Sequence, residues 1–175
     1  VWYTLNEDKS RGLCVGEGSD ERFETFINVW EDKVSNSPNR DIIIKTSKNE
    51  DIRDNIMFES SRTIYVLGKG LYKFKVGGDD GFRLYIDGKL EIDEWKGGNY
   101  RTKEKTIPLT EGSHKVQLDY FESTGNAKVT FDYETINTLD LILDKETYEF
   151  QEDVKINVFT SGYNDDYEIK FTIDG

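Results

Sequence analysis

Between Gly70 and Trp95 the chain reads GLYKFKVGGDDGFRLYIDGKLEIDEW, and its apolar residues fall on every second position. Tyr72, Phe74 and Val76 alternate with polar neighbours, as do Phe82, Leu84 and Ile86, and then Leu90 and Ile92. A period of two puts one set of side chains on the buried face of a pleated sheet. The run therefore predicts three short strands joined by two turns. Asp87-Gly88 is a hairpin signal, because both central positions of a tight two-residue turn favour positive φ. The other turn, Gly77-Gly78-Asp79-Asp80-Gly81, sets two carboxylates side by side among three glycines. It is either a tight solvated turn or a cation site.

The alternation continues downstream. RTIYVL (62–67) predicts a strand, KGGNYRTKEK (96–105) a long polar loop, and TIPL a brief strand. KVQLDYFE carries Val116, Leu118 and Tyr120 in phase, and AKVTFDYE carries Ala127, Val129, Phe131 and Tyr133; the glycine-containing turn between them predicts an antiparallel hairpin. Upstream the signal is weaker. VWYTL opens as a strand, RGLCVGEG as a loop, and RFETFINVW (22–30) fits strand or helix. Pro38 marks a loop, DIIIK (41–45) a buried strand, and SKNEDIRDN an exposed polar stretch. Many short strands and few helices predict an all-β fold, an antiparallel β-sandwich or barrel.

A boundary near residues 135–138 separates a β domain (1–137) from a partial second module (138–175). In the latter, Leu139, Leu141 and Leu143 alternate, as do Val154, Ile156 and Val158, and then Tyr167, Ile169, Phe171 and Ile173. Three strands are too few for a sandwich of their own. The module ends on Asp174-Gly175, a hairpin turn with no returning strand, so the chain is expected to be part of a larger multi-module protein.

The net charge of −12 argues against nucleic-acid or anionic-membrane partners, which need a basic patch. No apolar run reaches the ~20 residues of a membrane-spanning helix. One cysteine, Cys14, excludes an internal disulfide, and one histidine, His114, excludes a multi-histidine zinc site. A catalytic Cys14–His114 pair would need the two side by side. Neither a defensible pair of catalytic carboxylates nor a phosphate loop nor a triad is present, so the chain reads as a non-enzyme.

These residues resemble a known family, the protective-antigen fourteen-kilodalton (PA-fourteen) domain. The resemblance rests on Tyr72 and Phe74, on Asp79-Asp80-Gly81, on Arg83-Leu84-Tyr85-Ile86-Asp87-Gly88 and on Trp95. It continues in Gly112 and His114 and then in Tyr120, Glu122, Gly125 and Ala127. It covers residues 56–134 well, while 1–55 fit by position. More faintly, LDKETYEFQEDVKINV is similar to the start of an Ig-like or macroglobulin-like module. The PA-fourteen resemblance implies a β-sandwich or barrel of the kind found in adhesins, glycosidases, glycosyltransferases and toxins. In lectin members two consecutive aspartates joined by a cis peptide bind Ca²⁺, which in turn binds sugar hydroxyls. Asp79 and Asp80 match that pair. Where yeast-type lectins supply an asparagine ligand, this chain has Glu122, with Asn126 four residues later.

Such a site is chemically sensible, since Ca²⁺ takes six to eight hard oxygens in irregular geometry. Metal candidates are thus Asp79, Asp80 and Glu122; Glu122 is alternatively an ion-pair partner of Arg83 or a turn-stabilising group. Asp87 reads as hairpin turn, and Asn164-Asp165-Asp166 as a turn or second acidic site. Tyr100 and Trp95 are candidate sugar-stacking faces, with Trp2 and Trp30 also weighed. Lys96, Lys103 and Lys105 read as a solvated face. The functional expectation is a non-catalytic extracellular or cell-surface module that binds a glycan or surface ligand through Ca²⁺. The alternatives are a structural scaffold module and an accessory domain of a glycosidase.

Overall fold

The computed structural model describes residues 1–16, 23, 34–46, 48–143, 149 and 153–161. Its strands in chain order are β1 (Trp2–Leu5), β2 (Arg11–Gly16), β3 (Val34–Asn36), β4 (Arg40–Asp41), β5 (Ile44–Lys45), β6 (Asp51–Ile52), β7 (Ile56–Val66) and β8 (Gly70–Asp79). There follow β9 (Gly81–Ile86), β10 (Lys89–Glu94), β11 (Arg101–Leu109), β12 (Gly112–Glu122), β13 (Asn126–Ile136), β14 (Thr138–Leu143) and β15 (Ile156–Ser161). The fold is all-β, and every described strand pairing is antiparallel.

Two sheets form a sandwich. The first runs β10-β9-β12-β7-β1-β2; the second runs β11-β8-β13-β3, with β4 also on β13. The alternating residues read from the sequence fill the space between them. Phe74 and Val76 of β8, Phe82 and Leu84 of β9, Val116, Leu118 and Tyr120 of β12, and Val129 and Phe131 of β13 are all fully buried in one cluster. Each such side chain contributes about 1.5–3 kcal/mol of hydrophobic stabilisation. A smaller cluster of Leu5, Met57 and Phe121, with Tyr3 and Trp95 against it, covers the outside of the first sheet at one end.

The Asp87-Gly88 hairpin forms between β9 and β10 with φ of 50° and 80°, both positive as the turn requires. Other connections differ from expectation. β8 and β9 do not pair: β8 lies in one sheet and β9 in the other, so Asp79-Asp80 is a corner where the chain crosses the sandwich. β12 and β13 likewise belong to opposite sheets and form an arch, not a hairpin. Alternation reports which face is buried, not which strand is the neighbour, and this is why the β12–β13 connection reads as a hairpin in the sequence.

The polar loop at 96–105 is shorter than expected, for β11 begins at Arg101. β11 is an edge strand whose first residues are charged or Thr and largely exposed, which hides its pattern. RGLCVGEG contains β2, another edge strand. In DIIIK, Ile42 and Ile44 are buried, but the strands there are only two residues long. Phe23 is core, whereas the rest of RFETFINVW, Trp30 included, lies outside the described residues. Beyond residue 137, β14 and β15 pair with each other. The third strand of that module and Asn164-Asp165-Asp166 lie outside the described residues.

Candidate functional site

β12 carries the core-facing phase Val116, Leu118, Tyr120 one step further, to Glu122. That carboxylate is fully buried, and its Oε1 has no hydrogen-bond partner. At the neighbouring corner the Asp79–Asp80 peptide is cis. The Tyr120 hydroxyl donates to the Asp79 carbonyl, accepts from the Lys128 N–H at 3.1 Å and lies 3.3 Å from Glu122 Oε2. With its one proton used on Asp79, the hydroxyl best meets a Glu122 that is itself protonated and donating. Burial, then the Asp80 and Asp79 charges, push the Glu122 pKa up to about 8. Burial, and after it Asp80, also raise that of Asp79, against a smaller opposing effect of Arg101.

Asp80 is held by the backbone. Its Oδ1 accepts from Gly98 N–H and its Oδ2 from Ser123 N–H, each at 2.7 Å. Gly98 has φ of 136°, a conformation reserved for glycine, and a Cβ on Gly97 would stand 3.4 Å from Asp80 Oδ1. One guanidinium fixes this loop. Arg101 donates through Nη1 to the Asp80 carbonyl at 3.0 Å, through Nη2 to the carbonyls of Glu94 (2.9 Å) and Lys96 (2.6 Å), and through Nε to Glu94 Oε2 at 3.1 Å. Glu94 in turn is contacted by Lys96, Arg101 and Lys103, and the Lys96 contact leads in holding its pKa down to about 2.

The glycines of the corner serve approach, not φ. None of Gly77, Gly78 and Gly81 has positive φ. A Cβ on Gly78 would come 2.5 Å from Phe82 Cδ1, and one on Gly81 would run into the Phe121 ring, 2.7 Å from Cδ1 and Cζ.

The PA14 domain model matches residues 6–155, most of the chain. This chain belongs to the PA14 domain family. Among solved structures it is similar to a PA14 sugar-binding domain from an RTX adhesin (16% identity, 90% of this chain and 92% of that one, TM-score 0.48). It is also similar to the PA14 domain of the MpAFP antifreeze protein (13%, 76% and 78%, TM-score 0.44). An anti-sigma factor domain-containing protein shares 22% identity over 57% of this chain, with TM-score 0.46. The chain spans 36% of that protein and 11% of a Kluyveromyces marxianus beta-glucosidase that it also matches. No curated protein sequence matches it.

In this PA14 domain Asp79, Asp80 and Glu122 are electrostatic neighbours. Among the described residues, however, no group of three or more His, Cys, Asp or Glu side chains is already gathered to hold a metal ion. Glu122 does not pair with Arg83, which binds Asp93 at 2.9 Å because the two are opposite in the β9–β10 ladder. Asn126 is exposed at the start of β13. Trp2 is a core residue and offers no sugar face. Trp95 packs edge-on to Phe121 at 4.7 Å, lies under Arg83 and donates Nε1–H to the Lys9 carbonyl, so both its ring and its nitrogen serve packing.

Tyr100 is 41% exposed on the outer face of the second sheet. Lys96, Lys103 and Lys105 are ion-paired to Glu94 or Glu91 rather than merely solvated, and the latter two tie β11 to β10 across the sheets. Both nitrogens of His114 are engaged, by Asp87 and the Thr110 carbonyl, so it is no base for the exposed Cys14. Arg101 went unremarked in the sequence. Its only signal there was an arginine closing a glycine-rich loop.

Proposed function

We propose that this PA14 domain is a non-catalytic binding module, in which the Asp79–Asp80 corner holds Ca²⁺ and presents it to a glycan of a cell-surface or extracellular partner. The observation that carries this reading is the buried Glu122 Oε1, which has no hydrogen-bond partner and feels the charges of two more carboxylates, Asp80 and Asp79. Three acids at one end of a core repel one another, and a divalent cation relieves that repulsion. The donor set is all hard oxygen, which suits calcium and not zinc. Asp79 and Asp80 would supply side-chain ligands and Glu122 a third, with main-chain carbonyls and water completing the shell. When bound, the ion would polarise and orient sugar hydroxyls. The protein's own part is to hold Asp80 by Gly98 and Ser123 and to lock the loop by Arg101. The net charge of −12 is compatible with a sugar partner and not with nucleic acid. Among the described residues no helix is long and apolar enough to cross a membrane.

A second, structural reading is favoured by the two backbone hydrogen bonds to Asp80, which staple the 95–100 loop to the β12–β13 arch without a metal ion. Thermal melting in EDTA and in millimolar Ca²⁺ separates the two. At a hundredfold excess over Kd, calcium adds about 2.7 kcal/mol, or about 5–10 °C in Tm. Asp79→Asn with Asp80→Asn should remove that rise. A wild-type Tm indifferent to calcium would leave only the staple.

A further inference from the structure

On the outer face of the second sheet, beside the corner, lies an open groove of about 340 Å³ lined by Asn36, Lys75, Tyr100, Lys128, Thr130 and Asp132. Its floor is preformed. Tyr100 Oη hydrogen-bonds Thr130 Oγ1 at 2.8 Å. The ring lies across Gly77, where a Cβ would stand 2.5 Å from Oη and 2.9 Å from Cζ. Glycine at 77 thus leaves room for the phenol end of the ring over the strand, with its hydroxyl already pinned. A platform fixed in this way loses little entropy on binding.

Two cations flank it in a chain of net charge −12. The Lys128 ammonium sits 5.1 Å from the Tyr100 ring centroid and has no carboxylate partner among the described residues. Among the described residues Lys75 pairs with half-exposed Glu104, at 3.1 Å, a contact too weak to hold the lysine against a competing anion. Thr130, Asn36 and Asp132 add hydroxyl, amide and carboxylate groups that match sugar hydroxyls. Asp132 lies opposite Lys75 in the β13–β8 ladder, which favours isolated negative charges over a dense polyanion.

We propose that this groove is a binding subsite for acidic glycans. A pyranose ring stacks on Tyr100, and its carboxylate or sulfate pairs with Lys128 and Lys75. Lys128 is the ladder partner of Asp79, so the groove opens next to the corner and a chain of two or more sugars can occupy both. The inference rests on the glycan-binding reading of this domain but not on calcium.

The test is an NMR titration of the ¹⁵N-labelled chain with hyaluronan tetrasaccharide, which carries uronates, and with uncharged chitotetraose, each in EDTA and in Ca²⁺. The expected result is shifts at Tyr100, Lys128 and Thr130 with or without calcium, and affinity for the acidic sugar at least about tenfold higher, some 1.4 kcal/mol. Lys128→Gln should weaken the acidic ligand about threefold and leave the neutral one unchanged. Tyr100→Ala should lose both. Equal affinity for the two sugars, or no effect of Lys128→Gln, overturns the proposal. Absent groove shifts alongside an intact, Asp79-dependent calcium response overturn it while leaving the calcium reading in place. Groove shifts in a protein blind to calcium uphold the groove and sink the calcium reading.

Discussion

Replacing Glu122 by Gln should stabilise the calcium-free domain, and by an amount that depends on pH. The Glu122 side chain keeps its proton to about pH 8 in the folded state but releases it near 4.5 in a solvated chain. Between those values the folded state binds a proton that the unfolded state has given up. Wild-type stability from this group is therefore full below 4.5 and falls as pH rises, by about 1.4 kcal/mol per unit, levelling off above 8. At pH 7 the loss is about 3 kcal/mol. A glutamine is neutral throughout, fills the same space and can donate to the Tyr120 hydroxyl as the protonated acid does. Urea denaturation in EDTA at pH 5, 6, 7 and 8 should show Glu122→Gln pulling ahead of wild type as pH rises. On the calcium reading, saturating calcium should close the gap, because the ion would hold the ionised carboxylate. A wild-type-to-variant difference that is flat with pH in EDTA would refute the claim that burial and the Asp79 and Asp80 charges hold a proton on Glu122.

Three further outcomes follow from the same geometry. Arg101→Lys keeps the charge but cannot reach the Asp80, Glu94 and Lys96 carbonyls together; it should cost about 2–3 kcal/mol in denaturant unfolding and reduce the calcium-induced rise in Tm. Gly81→Ala drives a methyl into the fully buried Phe121 ring and should cost about 1–3 kcal/mol, and the penalty should shrink in a Phe121→Leu background; an unchanged penalty there would show that the clash lies elsewhere. The Asp87–His114 pair should behave as a pH-dependent latch on the β9–β10 hairpin. Burial opposes the His114 charge, but Asp87 and the Thr110 carbonyl outweigh it and raise its pKa, while the His114 contact leads in lowering that of Asp87. The histidine's contribution is complete below its ordinary 6.5 and is lost as pH rises through its raised value, and that of Asp87 is lost as pH falls below the ordinary carboxylate range. Asp87→Asn should therefore cost about 1 kcal/mol at pH 6 and less at pH 9 in urea unfolding.

Much of the sandwich is legible in the period of two. Phe74, Phe82, Leu118 and Phe131 announce their burial without any structure, and Asp87-Gly88 announces its turn. What alternation cannot carry is partner choice, since the β12–β13 arch looks like a hairpin until the two sheets are seen. Edge strand β2 and the first half of β11 are hidden because a strand with one exposed rim needs no apolar rhythm.

The site was half visible. Adjacent aspartates among glycines drew notice at once, and Glu122 is in phase with Val116, Leu118 and Tyr120, which foretells a carboxylate at the end of the core. What the glycines of the corner do is not legible in the sequence: Gly78 and Gly81 make room for Phe82 and Phe121. Arg101 was invisible because its guanidinium reaches three main-chain carbonyls, of Asp80, Glu94 and Lys96, across a loop, and such contacts leave no trace in residue types. The sequence does not announce that Trp95 packs against Phe121 and lies under Arg83.

The most direct test of the calcium reading is a crystal of this domain soaked in CaCl₂ and measured at long wavelength for anomalous signal. The expected result is a peak at the corner with oxygens of both Asp79 and Asp80 about 2.3–2.6 Å away. Water alone between those carboxylates, with no anomalous peak, would contradict it.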